Sequence, residues 1–184
     1  MTDALTLHAF NHEWRIEAEC PGDLRDRELL LDRVMGSGRF LKSSENLRRG
    51  RNPSDFLALV ARTDRGDIVG TVRLWDIHAG SVDALLLGPL AVAPEWSGMG
   101  LGSGLMDEAI SRATNLGHGA IILVGDPGYY ARFGFAPHAT ARLDMPGHFE
   151  RHRLLGLELV RGWLDGASGL ITPRSPETAV LMAA

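Results

Sequence analysis

The sequence predicts an α/β (α+β) fold, a mixed, mostly antiparallel, twisted sheet that contains one parallel strand–helix–strand unit. Three observations carry that expectation. Residues 56–61 (Phe-Leu-Ala-Leu-Val-Ala) and 68–75 (Ile-Val-Gly-Thr-Val-Arg-Leu-Trp) are apolar runs joined through the turn Arg65-Gly66-Asp67, the pattern of a hairpin. Residues 85–92 form a further apolar run that leads into a cluster of glycines. After it, Leu101, Leu105, Ala109, Ala113 and Leu116 recur at spacings of three and four, as on an amphipathic helix. Residues 120–124 (Ala-Ile-Ile-Leu-Val) suit a short buried strand, and the helix between them and residues 85–92 makes the two strands parallel.

The remaining elements follow in chain order. Trp14-Arg15-Ile16-Glu17-Ala18 alternates apolar and charged residues and reads as a half-buried strand. Pro21-Gly22-Asp23 ends it, and Asp23 is placed to cap a helix whose apolar positions are Leu24, Leu30, Leu31 and Val34 and which stops at Gly36-Ser37-Gly38. Residues 39–52 are polar and basic, with a short helix around 45–49. Residues 76–83 are a loop. Gly117-His118-Gly119 closes the long helix, because glycine readily takes the left-handed cap. Gly125-Asp126-Pro127-Gly128 is a turn, and residues 129–133 have room for about two helical turns at most. A loop-rich stretch then runs to a last strand at residues 154–160. Residues 1–164 form a single domain on this reading. Residues 165–184, mixing Gly, Ser, Pro and Thr, are expected to be a poorly ordered or dimer-associated tail.

Composition excludes several classes. At 184 residues and a formal charge of −4, the chain is long enough for one sizeable core and has no basic footprint for nucleic acid or an anionic membrane. Cys20 stands alone, so neither a disulfide framework nor a cysteine metal site is expected. No apolar run reaches the roughly 18 residues of a membrane span. Residues 1–14 lack a basic start followed by an apolar stretch, so no secretory signal is expected and the default location is the cytoplasm.

The glycine cluster at the head of the long helix is where chemistry is legible. A buried strand that feeds glycines into a helix leaves backbone N–H groups unpaired at the positive end of the helix dipole, a site for phosphate. A Walker loop would end in Gly-Lys-Ser/Thr, and no lysine stands here. A dinucleotide fingerprint would read G-x-G-x-x-G, whereas Gly98 to Gly104 reads G-x-G-x-G-x-G and puts Ser103 where the third glycine belongs. The plain alternative is that the glycines merely allow close helix–sheet packing.

The run Leu90-Ala91-Val92-Ala93-Pro94-Glu95-Trp96-Ser97-Gly98-Met99-Gly100-Leu101-Gly102 resembles the acyl-CoA signature of the GNAT superfamily of N-acetyltransferases. That signature is an apolar strand, Pro–acidic–aromatic, then Q/R-x-x-G-x-G/A opening a helix. Downstream, Tyr129-Tyr130-Ala131-Arg132-Phe133-Gly134-Phe135 resembles the superfamily's second landmark, Y-x-K/R-x-G-F. The segment from Gly125 to Phe135 is similar to a bacterial branch of GNAT acetyltransferases carrying Gly-Asp-Pro-x-Tyr-Tyr-x-Arg-Phe-Gly-Phe. The resemblance spans residues 85–135, and the hairpin strands before it agree in order. Ser97 departs from the pattern, standing where Gln or Arg is usual.

The resemblance implies a GNAT-like fold whose parallel strands splay, and acetyl-CoA as the acyl donor. Edge groups of Leu90, Ala91 and Val92 would meet the pantetheine amides, and Ser97, Gly98, Met99, Gly100, Leu101, Gly102 and Ser103 the pyrophosphate. A backbone N–H near Leu90 would polarise the thioester carbonyl. Tyr130 is carried over as the general acid for the departing thiolate, with Tyr129 beside it as a packing or pocket-lining residue. The acceptor is a small-molecule amine or a protein amino group, bound by residues 40–51 and 145–153. The alternative function is a non-catalytic acyl-CoA-binding module, encouraged by Ser97 and by the absence of a carboxylate on residues 85–92. For the general base, Asp83, Glu95, His148, Glu150, His152 and a bound water are the options. His148, Glu150 and His152 have the spacing of two zinc ligands without a third partner, and no metal is expected. Arg48, Arg49 and Arg51 read as a solvated basic loop, or as a contact for an acidic substrate or the CoA 3′-phosphate. Residues 159–171 are apolar enough to pair across a homodimer.

Overall fold

A computed structural model of the chain describes residues 14–174. Its strands are β1 (Trp14–Ala18), β2 (Ala58–Thr63), β3 (Ile68–Ala79), β4 (Val82–Val92), β5 (Ala120–Val124), β6 (Leu143–Asp144), β7 (Leu154–Glu158) and β8 (Gly169–Pro173). The α-helices are α1 (Leu24–Met35), α2 (Leu101–Asn115) and the single turn α3 (Pro127–Tyr130). The sheet runs β1-β2-β3-β4-β5-β7, antiparallel except between β4 and β5. The mixed α/β class and its parallel unit are therefore as the sequence indicates.

Both faces of the central strands are covered, which is why they read as continuous apolar runs. Successive residues alternate between two cores: Leu85 and Leu87 of β4 with Ile121 and Leu123 of β5 on one side, Ala84 and Leu86 with Ala120 and Ile122 on the other. The first core takes α2 through Leu101, Leu105, Met106, Ala109 and Ala113, and also Leu30 of α1. Burial of each such Leu or Ile contributes about 1.5–3 kcal/mol of transfer free energy. Two glycines let α2 lie close. A Cβ at Gly70 of β3 would stand 2.4 Å from Leu101 Cδ2, and one at Gly104 would stand 2.9 Å from Trp14 Cη2.

β4 and β5 pair only at Leu85↔Ile121 and Leu86↔Ile122. Beyond them β4 continues along β3, with a bulge where Val72↔Leu90 gives way to Leu74↔Leu87. Trp75 Nε1 donates to the Gly88 carbonyl at 2.6 Å within the bulge, so that oxygen is satisfied without a neighbouring strand. β5 meanwhile pairs with β7 over its whole length. The two parallel strands thus part company, and a gap opens between them.

Some local readings are revised. Asp23 does not cap α1 with its side chain. Its Oδ2 accepts the Cys20 N–H at 2.9 Å, closing a 3-10 turn at Pro21–Asp23, while Oδ1 meets Arg62 at 2.7 Å. The polar stretch after α1 forms two 3-10 turns, Ser37–Leu41 and Ser43–Leu47, and not one short α-helix. Leu116 is the C-cap of α2 and lies exposed. Residues 76–83 are no loop: β3 and β4 run through them to a tight turn, with Ala79↔Val82 the last pair. The tail is structured as far as it is described, because β8 pairs Ile77↔Pro173, His78↔Thr172 and Ala79↔Ile171 along the part of β3 that β2 does not reach. Its alternating apolar residues are too few to stand out among Gly, Thr and Pro, yet Ile171 is fully buried. The N-terminal residues read for a secretory signal lie, up to residue 13, outside the described residues, as does the tail from residue 175.

Candidate active site

The separation of β4 from β5 leaves a cavity of about 330 Å³. Leu87, Gly88, Pro89 and Leu90 wall one side, and Leu123, Val124 and Gly125 the other. Leu90, Ala91 and Val92 pair with β3 on one edge, and no described strand takes their other edge. Their backbone groups are thus available to an extended, amide-bearing ligand. A larger depression of about 900 Å³ lies between α1 and the β2–β3 turn, beside the exposed ion pair Arg33–Glu95, but no strand separation opens it.

At the head of α2 the glycines divide by purpose. Gly98 and Gly100 have φ of 77° and 81°, the left-handed region, and a Cβ on either would meet nothing within 4 Å. They are there to turn the chain. Gly102 is there for space: its Cβ would stand 3.1 Å from the Tyr129 hydroxyl and 3.6 Å from Val92 Cγ2. The first helical bond is Gly104 N–H to the Gly100 carbonyl, so the N–H groups of Leu101, Gly102 and Ser103 have no helical acceptor. Ser97 and Met99 are exposed beside them, while the Leu101 side chain is in the core. The packing reading thus applies to Gly102, while Gly98 and Gly100 shape the turn that leaves the helix-start N–H groups unpaired.

Tyr129 and Tyr130 reach the cavity from α3. Asp126 caps this turn, its Oδ1 accepting Gly128 N–H at 2.9 Å, and Gly134 ends the following 3-10 turn in the left-handed region. The two tyrosine rings meet edge to face at 4.9 Å, and Tyr130 packs edge to face against Phe135 at 5.9 Å. Tyr130 also leans on Gly125, where a Cβ would stand 2.2 Å from its Cε2. Burial and then Tyr129 push the Tyr130 hydroxyl up to about 12, with Arg153 opposing them and Asp126 adding a lesser push, so it is protonated at neutral pH. The requirement for Gly125 was not visible in the sequence, where it reads as a turn residue.

The third wall is basic. Arg39, Lys42 and Arg48 enter from the 3-10 segment after α1, and Arg153 from the turn before β7. Both segments expected to bound the acceptor thus contribute. Arg48 is not part of a solvated loop: it is 9% exposed, and burial lowers its pKa against the attraction of Glu45. Its Nη2 meets Glu45 at 3.0 Å, and its Nη1 lies 3.5 Å from where a Cβ on Gly88 would stand. Arg49 and Arg51 point elsewhere, donating to the carbonyls of Phe40 and Arg174. Lys42, the chain's sole lysine, is exposed as a residue, yet partial desolvation, followed by the charges of Arg48 and Arg153, lowers its pKa.

The carboxylates and histidines considered as bases lie outside this cavity. Asp83 pairs with His78 and Arg174, Glu95 with Arg33, and Glu150 with His152 and Arg153, while His148 is exposed. Asp126 is the acidic residue on the cavity wall. Among the described residues no group of three or more His, Cys, Asp or Glu is arranged to hold a metal ion, and no helix is long and apolar enough to cross a membrane.

This geometry has counterparts. The acetyltransferase (GNAT) domain description matches residues 54–137. The chain is 32% identical over 163 residues to the N-acetyltransferase YhbS of Escherichia coli K12, covering 85% of this chain and 93% of YhbS. The chain belongs to the GNAT family of acetyltransferases. As a GNAT enzyme it shares its fold with a crystal structure of E. coli YhbS in complex with CoA, at TM-score 0.76 and 28% identity, covering 88% of this chain and 90% of that one. A GNAT family acetyltransferase from Brucella melitensis, crystallised with acetyl-CoA, matches at TM-score 0.55 and 25% identity, over 80% of this chain and 88% of that one.

Proposed function

We propose that this GNAT enzyme transfers an acetyl group from acetyl-CoA to a primary amine by direct attack, with Tyr130 as general acid. The observation that carries the reading is the position of Tyr130 on the wall of the cavity between the separated strands. The free edge of Leu90, Ala91 and Val92 suits the pantetheine amides. The N–H groups at the head of α2, with Ser97, Gly98, Met99, Gly100, Leu101, Gly102 and Ser103 around them, suit the pyrophosphate. Relatives crystallised with CoA and acetyl-CoA support that donor.

The neutral amine nitrogen forms a bond to the thioester carbonyl carbon, and the carbon–sulfur bond breaks as the sulfur takes its electron pair. A backbone N–H near Leu90 stabilises the carbonyl oxygen as it gains charge. Tyr130 gives its hydroxyl proton to the leaving sulfur and recovers one from solvent. The attacking nitrogen then gives up one proton to a bound water and keeps the other as the amide N–H, since the nearby Asp126 already engages Gly128 through Oδ1. The basic wall favours the neutral amine over the ammonium form by electrostatic repulsion. Tyr130→Phe tests the assignment: turnover, read as CoA thiol release, should fall by about 10²-fold while acetyl-CoA affinity stays within about twofold. Unchanged turnover removes the acid role. Binding of acetyl-CoA with no thiol release to any amine would favour an acyl-CoA-binding module.

A further inference from the structure

We infer that the amine accepted by this enzyme carries an anionic group, a carboxylate or a phosphate, that is read by Arg48, Lys42 and Arg153. The inference rests on the acetyl-transfer reading and specifies its acceptor.

The charge balance of the cavity wall is the argument. Four cationic side chains line it against one carboxylate, Asp126. Arg39 is neutralised by Glu28 and Asp32. The other three are not fully matched. Arg48 gives one nitrogen to Glu45 and leaves Nη1 directed towards Gly88, without a hydrogen-bond acceptor among the described residues. Lys42 has no ion pair among the described residues. Arg153 reaches Glu150 only at 3.7 Å, beyond hydrogen-bond distance. A guanidinium nine-tenths buried with a spare edge is costly unless something supplies charge and acceptors. A neutral amine alone would leave the imbalance unrelieved, whereas an amine with an attached anion relieves it and is oriented by it.

The donor does not supply that anion. None of residues 97–103, the proposed phosphate cradle, lines this cavity, so the basic wall lies apart from it and shares its space with Tyr130. The wall is also built from side chains of two distant segments converging on one space, and it sits against β4 at the bulge where the acyl group would lie.

Matched acceptor pairs test the inference: 2-aminoethyl phosphate against ethanolamine, and β-alanine against β-alaninamide, each assayed at fixed free-amine concentration by thiol release from acetyl-CoA. The anionic member of at least one pair should show a kcat/KM about tenfold or more higher. Which pair responds tells phosphate from carboxylate. In Arg48→Met and in Lys42→Met that preference should shrink by about tenfold while acetyl-CoA affinity holds. Lys42 is exposed at its loop, so its variant keeps the test open if Arg48→Met does not fold. Equal or better use of the neutral members in both pairs overturns the inference and leaves the transfer reading standing. A preference unmoved by both variants also overturns it, as does a loss of acetyl-CoA binding in both, which would assign the cations to the donor. If no amine releases thiol, the transfer reading fails, and titration of N-acetyl-β-alanine and its amide into the CoA-loaded protein decides the anion site by itself. Selective binding of the acid, lost in the variants, supports the site, and its absence overturns it.

Discussion

Gly125→Ala is a sharp test of whether the placement of Tyr130 matters, because it touches the ring without touching the hydroxyl. The added Cβ would stand 2.2 Å from Tyr130 Cε2 and 2.7 Å from Cδ2. The backbone is poorly able to retreat, since the Gly125 N–H donates to the Arg153 carbonyl at 2.9 Å and the Gly125 carbonyl accepts Arg153 Nε at 3.3 Å. The ring must therefore give way by about 1 Å to restore an ordinary carbon–carbon contact near 3.5 Å. Overpacking of this kind costs about 1–3 kcal/mol of stability. A general acid displaced by about 1 Å costs on the order of 10²-fold in turnover. The assay is kcat at saturating amine and acetyl-CoA, with urea denaturation read alongside to confirm a folded protein. The double variant Gly125→Ala/Tyr130→Phe is the deciding measurement. If Gly125 acts through Tyr130, the double variant is about as slow as the slower single one. Multiplying losses, or a Gly125→Ala enzyme at full speed, would refute the assignment of Tyr130.

Two further outcomes follow from the same geometry. Gly100→Ala places a side chain at φ 81° in open space, so it should cost about 1–2 kcal/mol of stability from strain alone and weaken acetyl-CoA binding. Gly66→Ala, at φ 94° in the β2–β3 turn and equally open, should cost similar stability with acetyl-CoA affinity unchanged, as read by calorimetric titration. The second outcome concerns acid. Burial opposes ionisation of Asp23, but the Cys20 N–H and Arg62 outweigh it and hold its carboxyl below its ordinary 3.8, so the stability it confers is present above that value and is lost as pH falls through the lower, folded-state value. Urea midpoints measured from pH 7 downwards should therefore drop late in the wild type. In Arg62→Met, where Asp23 loses a partner, they should start lower and drop at a higher pH. Parallel curves would show that the pair carries none of the acid dependence.

The strands were legible where burial is two-sided and the run is long. Residues 85–92 and 120–124 announce themselves because consecutive residues must satisfy opposite cores, Leu85 and Ile121 one way, Leu86 and Ile122 the other. β8 was not legible. Three of its residues complete the edge of β3, and one buried Ile171 is too little pattern to separate a strand from a Gly- and Thr-rich tail. Asp23 misled for a related reason: an Asp before an apolar series satisfies the rule for a helix cap, but Arg62, distant in sequence, and Cys20 take its oxygens first. Long-range charge pairing leaves no periodic trace.

The two halves of the site differ in legibility for a physical reason. The donor half, on the proposed reading, rests on main-chain groups: a free strand edge, two left-handed glycines, and the unpaired amides at a helix start. Such groups are fixed by local backbone conformation, so a run of about a dozen residues specifies them. The acceptor half is made of side chains, Lys42 and Arg48 from one segment and Arg153 from another more than a hundred residues on. Their convergence depends on α1, the two 3-10 turns and the β5–β7 pairing acting together, and none of these leaves a motif. Arg48 shows the consequence. As one of several arginines in a polar stretch it reads as solvated, yet it is buried on the cavity wall, paired with Glu45 of its own turn and close to Gly88 of the β4 bulge. Substitutions at positions 42, 48 and 153 should then alter acceptor preference while acetyl-CoA affinity holds, because neither proposed set of contacts constrains the other.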